Sequence, residues 1–210
     1  KTADIVLNNF KVNKSNLNIE TTLCKKKVIK YKINSINSYL INNTMALLAC
    51  LKSVKYDLNH IKNLKNFSIT KGRGNILNIR KDNKIIELHD HSYNSSPISL
   101  FESLNSFLKI SKKKNLIIVG DMNELGTKSD FYHLQVLNFL SKNKNDIHLL
   151  VGKIFFKHRK RFSSTNLKFY VNVKCLNDEL ESFLKLTNKI FVKGSNSIGL
   201  YKTVNYLNNM

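Results

Sequence analysis

Apolar positions in the first third of the chain follow a strand spacing and then a helical spacing. Apolar and polar residues alternate over residues 4–10 and 17–23, which predicts two strands of a hairpin. Residues 43–54 and 60–67 carry apolar side chains three and four positions apart, which predicts two helices. The sequence KGRG at residues 71–74 then breaks the pattern and predicts a hinge. We therefore expect two domains, 1–74 and 75–210.

Beyond the hinge, strand-like and helical patterns alternate. Segments of strand character lie at residues 76–80, 84–88, 115–119, 147–151, 168–173 and 190–192. Helical spacing begins at Ser96-Pro97, where serine suits the N-cap and proline the first helical position, and returns over 129–142, 176–184 and 200–207. This alternation predicts an α/β domain with a Rossmann-like, mainly parallel sheet.

Composition restricts the class of protein. The 210 residues are 42% hydrophobic, so the chain can bury a core, and one proline and seven glycines argue against a disordered linker. Three cysteines without C-x-x-C spacing are typical of reduced thiols in a cytoplasmic protein. No apolar run approaches the roughly 18–20 residues of a membrane span. Lys1 in place of methionine, with no signal peptide after it, indicates a processed or missing N-terminus.

The strongly positive charge of the chain suggests a nucleic acid as one possible partner. The formal net charge is +21, and such a balance favours contact with polyanions. However, lysines are spread along the whole chain and form only short runs such as residues 25–27 and 157–161. No aromatic residues interleave with these runs to stack on bases. A basic nucleic-acid-binding module on an α/β fold therefore remains the alternative function.

Polar motifs follow three of the predicted strands. They are HDHSYNSSP at residues 89–97, GDMNELG at 120–126 and KGSNSIG at 193–199. In parallel sheets, ligands meet the loops at the carboxyl ends of the strands. Each motif alone is more often a turn than a site, so only the three motifs together indicate a site.

The three motifs, in this order and at these separations, are similar to the C-terminal part of the Mur ligases, in particular those that add D-alanyl-D-alanine. That family shows DDSYNANP or DESYNANP, then GDMLELG with a following histidine, matched by His133, then a VKGSRGMGL-like stretch. Upstream, residues 42–51 resemble its HNVxNALAA helix start, and residues 72–74 its hinge. The resemblance implies that 1–74 is the end of a central ATP-binding domain and that 75–210 is the C-terminal ligase domain.

The resemblance also implies roles for individual residues. Three match positions that contact ATP, with Asn43 and Arg73 on the adenine side and Asp90 near the ribose. Four match positions that face the substrates: Tyr93, Asn94, Lys193 and Ser195. No residue of this chain matches a catalytic residue or a metal ligand of the family.

The reaction implied by the resemblance is ATP-driven amide formation with Mg²⁺. A carboxylate of UDP-N-acetylmuramoyl-tripeptide takes the γ-phosphate, and the amine of D-alanyl-D-alanine then displaces phosphate. The C-terminal domain would act by closure, which brings the amine to the activated carbonyl. Such an enzyme is expected to be a cytoplasmic monomer without a membrane span or a nucleic-acid partner.

The chain departs from the family in ways that bear on activity. It contains no G-x-x-x-x-G-K-[ST] loop, since Gly152-Lys153 is followed by isoleucine, so no set of backbone amides cradles the phosphates. We therefore predict that this chain alone is inactive. His91 stands where the family has an acid, Asn196 where it has arginine, and Ser95-Ser96 where it has Ala-Asn.

Simpler interpretations accompany the candidate residues. His89 and His91 would share one face of a strand and could bind zinc, but no third ligand follows, which favours solvated strand-end histidines. His133 could be a proton donor, but a packed or capping histidine is the expected role. Asp121 and Glu124 could form an acid–base pair, but a structural turn is favoured.

Overall fold

The structure is a computed structural model that describes residues 3–13, 15–111, 114–162 and 164–210. It divides into two compact units between Ile69 and Thr70. The boundary expected from the sequence, after residue 74, lies inside the second unit. The KGRG segment is therefore part of the C-terminal unit.

The N-terminal unit is built on a three-stranded antiparallel sheet in the order β1-β2-β3. Its elements are β1 (Ile5–Val12), β2 (Leu17–Leu23), β3 (Lys27–Ile33), α1 (Tyr39–Ser53) and a 3₁₀ segment, Leu58–Asn66. Alternate residues of β2 and β3 are buried and pack with residues of α1 and the 3₁₀ segment, among them Leu17, Ile33, Leu48 and Ile61.

Two features of this unit differ from the prediction. Strand β3 was not predicted, although Ile29, Tyr31 and Ile33 alternate with lysines in the way a half-buried strand requires. The second predicted helix is the 3₁₀ segment Leu58–Asn66. Asp57 caps its start, because the Asp57 side chain accepts a hydrogen bond from the backbone N–H of Asn59 at 2.9 Å.

A β-bulge interrupts the pairing of β1 with β2. Leu7 lies opposite Thr21, but the next paired residue, opposite Glu20, is Asn9, so Asn8 is the extra residue. The bulge shifts the rest of β1 by one position, and a shift of one position moves each side chain to the other face of the sheet. Phe10 therefore lies opposite the buried Ile19.

The C-terminal unit contains a six-stranded sheet in the order β4-β5-β9-β6-β7-β8. The strands are β4 (Asn75–Lys81), β5 (Lys84–His91), β6 (Leu116–Gly120), β7 (Ile147–Val151), β8 (Leu167–Tyr170) and β9 (Lys189–Lys193). β4 is antiparallel to β5, and the other neighbours are parallel. This arrangement confirms the expected α/β fold with a mainly parallel, Rossmann-like sheet.

Helices cover both faces of this sheet. They are α2 (Pro97–Ile110), α3 (Ser129–Lys142), α4 (Lys153–Lys157), α5 (Val173–Glu179), α6 (Glu181–Leu184) and α7 (Leu200–Asn208). Leu116 and Ile118 of β6 join a core with α5, α6 and α7, whereas Ile117 and Val119 join a core with α2, α3 and α4. Strand β6 is consequently buried on both faces, which explains its continuous apolar sequence.

The predicted helix start at Ser96-Pro97 is confirmed. The Ser96 hydroxyl accepts a hydrogen bond from the backbone N–H of Ser99, and Pro97 is the first residue of α2. The prediction of a strand over 168–173 was too long. Asn172 caps α5 by accepting the N–H of Cys175 at 3.0 Å, so Val173 begins a helix.

Among the described residues, no helix combines the length and apolar character needed to cross a membrane.

Candidate functional site

Three loops meet at the carboxyl edge of the C-terminal sheet, because β5, β9 and β6 are neighbours. The Lys193 ammonium donates to the carbonyl of Asn94 at 2.9 Å. The backbone N–H of Ser195 donates to the carbonyl of Asp121 at 3.1 Å, and the Ser195 hydroxyl accepts the N–H of Asn123 at 2.8 Å. The structure thus brings together the three polar motifs found in the sequence, including the predicted substrate residues Asn94, Lys193 and Ser195.

Glycine is required where two of these loops touch. A Cβ atom on Gly194 would lie 2.9 Å from the Cα of Gly120 and 2.8 Å from Leu200. Such distances are shorter than ordinary van der Waals contact, so a side chain at residue 194 would force the two strand ends apart. The glycines of the GDM and KGS motifs therefore let β6 and β9 end in contact.

Asp121 has a structural role that explains the aspartate of the GDM motif. Its carboxylate is buried and accepts the backbone N–H groups of Ile154 at 2.9 Å and Phe155 at 3.0 Å. These are otherwise unpaired donors at the start of α4, so Asp121 caps a helix that follows the neighbouring strand. Burial raises the pKa of Asp121, and the two N–H donors partly oppose that rise. The structural interpretation of Asp121 is therefore favoured over general acid–base chemistry.

His133 is a packed histidine, as expected. Its Nδ1 donates to the carbonyl of Ser129 at 2.7 Å, its Nε2 accepts the N–H of Met122 at 3.0 Å, and its ring packs edge-on against Phe155. Burial lowers the pKa of His133. Since Nε2 is an acceptor, the ring is neutral, and its 3.6 Å distance to Asp121 is not an ion pair.

Replacing His133 tests this arrangement. His133→Phe fills the site but leaves the buried N–H of Met122 without an acceptor, so we expect the free energy of unfolding to fall by about 1–2 kcal/mol. Urea denaturation measures the change. His60→Phe, at an exposed histidine of the N-terminal unit, is the control and should change stability by less than about 0.5 kcal/mol. Equal stability of the two variants would contradict the role given to Nε2.

The hinge segment is hydrogen-bonded to the end of β5. The N–H of Gly74 donates to the carbonyl of Asp90 at 2.7 Å, and the N–H of Tyr93 donates to the carbonyl of Gly72 at 3.0 Å. The guanidinium of Arg73 lies 4.1 Å from the centre of the Tyr93 ring, within the range of a cation–π contact. Three predicted site residues, Arg73, Asp90 and Tyr93, are therefore neighbours in the C-terminal unit.

Gly72 fits this place only as glycine. Its φ of +77° lies in the left-handed region, and an added Cβ would lie 2.9 Å from the backbone nitrogen of Tyr93. The first glycine of the KGRG hinge therefore allows the hinge to pack directly on the loop after β5.

A cavity of about 560 Å³ lies beside these residues. Its walls come from the hinge, the ends of β4 and β5, and helix α7. The lining residues are Lys71, Gly72, Asn75, Leu77, Asp90, Ser92, Tyr93, Asn196, Tyr201, Val204, Asn205 and Asn208. The sequence did not predict that α7 lines this cavity, because the polar residues of α7 have the spacing of an ordinary solvent-facing side of a helix.

Lys193 is buried, which is unusual for a lysine. Burial lowers its pKa to about 8, and the positive charge of Arg73 acts in the same direction. Within the described part of the chain, no carboxylate lies within ion-pair distance of its ammonium group. Lys193 is therefore a buried amine without a carboxylate partner in this part of the chain.

The two histidines before the SYN motif are buried, so the expectation of solvated side chains was wrong. His89 packs against Phe107 and His91 against Phe191, on the same face of β5, as their spacing requires. Burial lowers the pKa of His91 to about 3, with the charge of Lys193 adding to the effect. Over the described ranges, no cluster of three or more His, Cys, Asp or Glu residues is arranged to hold a metal ion.

Asn43, the remaining predicted site residue, is exposed on α1 in the N-terminal unit. Its proposed contact with the adenine side of ATP stays a prediction. The other six predicted residues lie in the C-terminal unit, and their roles as ligands also stay predictions.

Comparison with known proteins gives several relatives but no matching protein-family profile. A UDP-N-acetylmuramoyl-tripeptide–D-alanyl-D-alanine ligase of Rickettsia prowazekii is 26% identical over 182 residues, covering 86% of this chain and 40% of the relative. The ligase of the same name from Buchnera aphidicola is 31% identical over 167 residues, covering 78% of this chain and 35% of the relative. The chain thus spans less than half the length of these curated relatives.

Solved structures agree with the sequence relatives. MurF from Acinetobacter baumannii superposes with a TM-score of 0.81 at 18% identity, over 99% of this chain and 45% of that one. A MurF ligase from Thermotoga maritima in complex with ADP superposes with a TM-score of 0.75 at 18% identity, over 100% of this chain and 47% of that one. The fold expected from the sequence and the resemblance to Mur ligases are confirmed.

Proposed function

We infer that this chain is the C-terminal part of an ATP-dependent ligase that joins D-alanyl-D-alanine to UDP-N-acetylmuramoyl-tripeptide in peptidoglycan precursor synthesis. The observation that carries the proposal is the meeting of three family motifs at one sheet edge. Hydrogen bonds there join Lys193 to Asn94 and Ser195 to both Asp121 and Asn123. In this proposal the N-terminal unit is the end of the central ATP-binding domain, and the C-terminal unit is the ligase domain.

The nucleotide side of the proposed site lies at the hinge. Asp90 accepts the N–H of Ser92 at 3.0 Å and forms part of the cavity wall, where a carboxylate oxygen suits a ribose hydroxyl. Arg73 and Tyr93 offer a cation and an aromatic ring beside it. The Asp90 carboxylate and the Tyr93 ring fit the sugar and base of a nucleotide better than its phosphates. ATP supplies the phosphoryl group that activates the tripeptide carboxylate.

The phosphates and Mg²⁺ require groups that this chain does not carry. The sequence has no G-x-x-x-x-G-K-[ST] loop, and the described residues include no cluster of metal-binding side chains. We therefore propose that Mg²⁺ and the phosphates are held by other parts of the ligase.

The substrate side lies at the KGS loop. Lys193 has three ammonium hydrogens, and its described hydrogen bond to Asn94 uses one of them. In a buried site that contains Arg73 nearby, its charge favours an anionic group such as the carboxylate of D-alanyl-D-alanine. We propose that Lys193 anchors that carboxylate, while Ser195 fixes the loop through Asn123 and so orients the dipeptide amine.

A chimeric enzyme tests the proposal. The chain, joined to the N-terminal part of the Rickettsia prowazekii ligase, should release phosphate only when D-alanyl-D-alanine and UDP-N-acetylmuramoyl-tripeptide are both present. Lys193→Met should lower kcat/KM for the dipeptide at least about tenfold, because it removes a charged contact. Lys202→Met, at an exposed lysine of α7, is the matched control and should leave the constant unchanged. Dipeptide-independent turnover, or equal effects of the two variants, would overturn the proposed role.

The isolated chain is expected to be inactive on ATP, with phosphate release no faster than in buffer. ATP hydrolysis that co-purifies with the chain through several columns would contradict this expectation. The proposal also places the full enzyme in the cytoplasm as a monomer that acts on small molecules and has no nucleic-acid partner.

A further inference from the structure

A second cavity, of about 520 Å³, lies in the N-terminal unit, and its lining includes none of the residues of the proposed ligase site. It is lined by residues of all three strands and of the 3₁₀ segment. The lining residues are Asn9, Phe10, Lys11, Asn18, Ile19, Glu20, Lys30, Tyr31, Lys32, Lys62 and Lys65. Five are lysines and one is an acid, so the cavity is strongly basic.

The strand register places the polar lining residues in rows across the outer face of the sheet. Asn18 of β2 lies opposite Lys11 of β1 and Lys32 of β3, and Glu20 lies opposite Asn9 and Lys30. The intervening residues Ile19, Tyr31 and Ile33 are buried on the other face. Two strand spacings of roughly 4.8 Å separate Lys11 from Lys32, so their backbones stand about 10 Å apart with an amide between them.

The bulge at Asn8 is what brings Lys11 to this face. Without the extra residue, Lys11 would pair with Leu17, whose side chain is fully buried, and would point into the core. The Asn8 amide is fixed on the outer face by a 2.8 Å hydrogen bond to the Thr22 hydroxyl. The irregularity in β1 thus adds a cation to the row that contains Asn18 and Lys32.

The single acid of the cavity is already paired. Glu20 lies 3.0 Å from the ammonium of Lys30, and the hydrogen bonds from Lys30 and Asn8 lower its pKa, so it is ionised. None of the carboxylates in the described ranges lies within 4.0 Å of the ammonium groups of Lys11, Lys32, Lys62 or Lys65. Four lysines therefore surround the cavity without a charged partner.

We propose that this cavity is a binding site for a polyphosphate anion. Several lysines at separate positions match an anion whose charge is spread along a chain better than a single carboxylate, and the Asn9 and Asn18 amides can donate to its oxygens. The volume is that of a small-molecule site. The chemistry that these lysines select is that of a phosphate chain, whether of inorganic polyphosphate or of a nucleotide.

Isothermal titration calorimetry of the chain with inorganic tripolyphosphate, at about 0.15 M salt, tests the proposal. We expect saturable binding with one site. Lys11→Gln together with Lys32→Gln should weaken it at least about tenfold, since both flanking charges are lost. Both lysines are exposed, so the fold should persist, which circular dichroism checks. Lys26→Gln with Lys27→Gln removes the same charge from exposed positions outside the cavity and should change the affinity less than about twofold.

Titrations with other anions identify the ligand, and some of their outcomes would contradict the proposed site. Tighter binding of ATP than of tripolyphosphate, lost in the Lys11/Lys32 variant, assigns a nucleotide, and equal binding assigns the phosphate chain alone. Absence of saturable binding, or equal weakening in the Lys26/Lys27 variant, overturns the proposal. So does tighter binding of an oligothymidylate than of tripolyphosphate, which would indicate a nucleic-acid surface. None of these results depends on the ligase activity, because the cavity contains no residue of the proposed ligase site.

Discussion

Gly152→Ala is expected to lower the free energy of unfolding by about 4 kcal/mol. Gly152 has φ +130° and ψ 165°, a conformation that only glycine adopts readily, so alanine there costs about 1–3 kcal/mol. The new Cβ would lie 2.2 Å from a carboxylate oxygen of Asp121. Moving that carboxylate breaks its two hydrogen bonds to the start of α4, at about 1–3 kcal/mol each for a buried charged group. Urea denaturation followed by circular dichroism measures the loss.

Gly126→Ala is the matched control for this prediction. Gly126 also has a positive φ, +54°, but no atom lies within 4 Å of an added Cβ, so only the backbone cost of about 1 kcal/mol remains. If Gly152→Ala does not fold, Asp121→Ala measures the cap without the steric overlap. The account of the α4 cap fails if Gly152→Ala is no less stable than Gly126→Ala, or if Asp121→Ala is as stable as the parent chain.

The stability of the chain should rise with pH through the titration of Lys193. The folded-state pKa of about 8 lies below the ordinary lysine value of 10.5, because the amine is buried near Arg73. Between these pH values the unfolded chain binds one more proton than the folded chain, so the free energy of unfolding increases with pH. From pH 7.5 to 9.5 this single group should contribute about 2 kcal/mol.

Comparison with variants isolates this contribution from the other titrating groups. Lys193→Met should lose the extra slope of stability against pH, whereas Lys202→Met should keep it, since Lys202 is exposed. Urea denaturation at several pH values between 7 and 10 gives the slopes. Parallel slopes for the parent chain and Lys193→Met would show that the amine keeps an ordinary pKa in the folded protein.

Most strands and helices could be predicted from the sequence where one periodicity dominated. The run at residues 115–119 is buried on both faces of the sheet, and Ser96-Pro97 starts α2, as their chemistry required. Strand β3 shows the opposite case: its lysines suggest a solvated segment, although they alternate with buried Ile29, Tyr31 and Ile33. Helix α4 is too short for periodicity to show, and its start is stabilised by Asp121, which is distant in sequence.

The candidate site was predictable in its motifs but not in its contacts. The three loops could be expected at one sheet edge because parallel strands end there together, and the structure joins them through Asn94, Lys193 and Ser195. The burial of His89 and His91 could not be read from the sequence, because it depends on Phe107 and Phe191 from other elements. The part of the cavity formed by α7 likewise depends on where that helix packs.

The irregular pairing of β1 also bears on self-association. β1 is an outermost strand, and such a strand offers a row of backbone donors and acceptors to any extended segment that meets it. The extra residue at Asn8 breaks the regular repeat of that row, and Lys11 beyond it adds a charge that a second copy of the strand would have to desolvate. The same distortion that aims a lysine outward thereby protects the sheet against edge-to-edge aggregation.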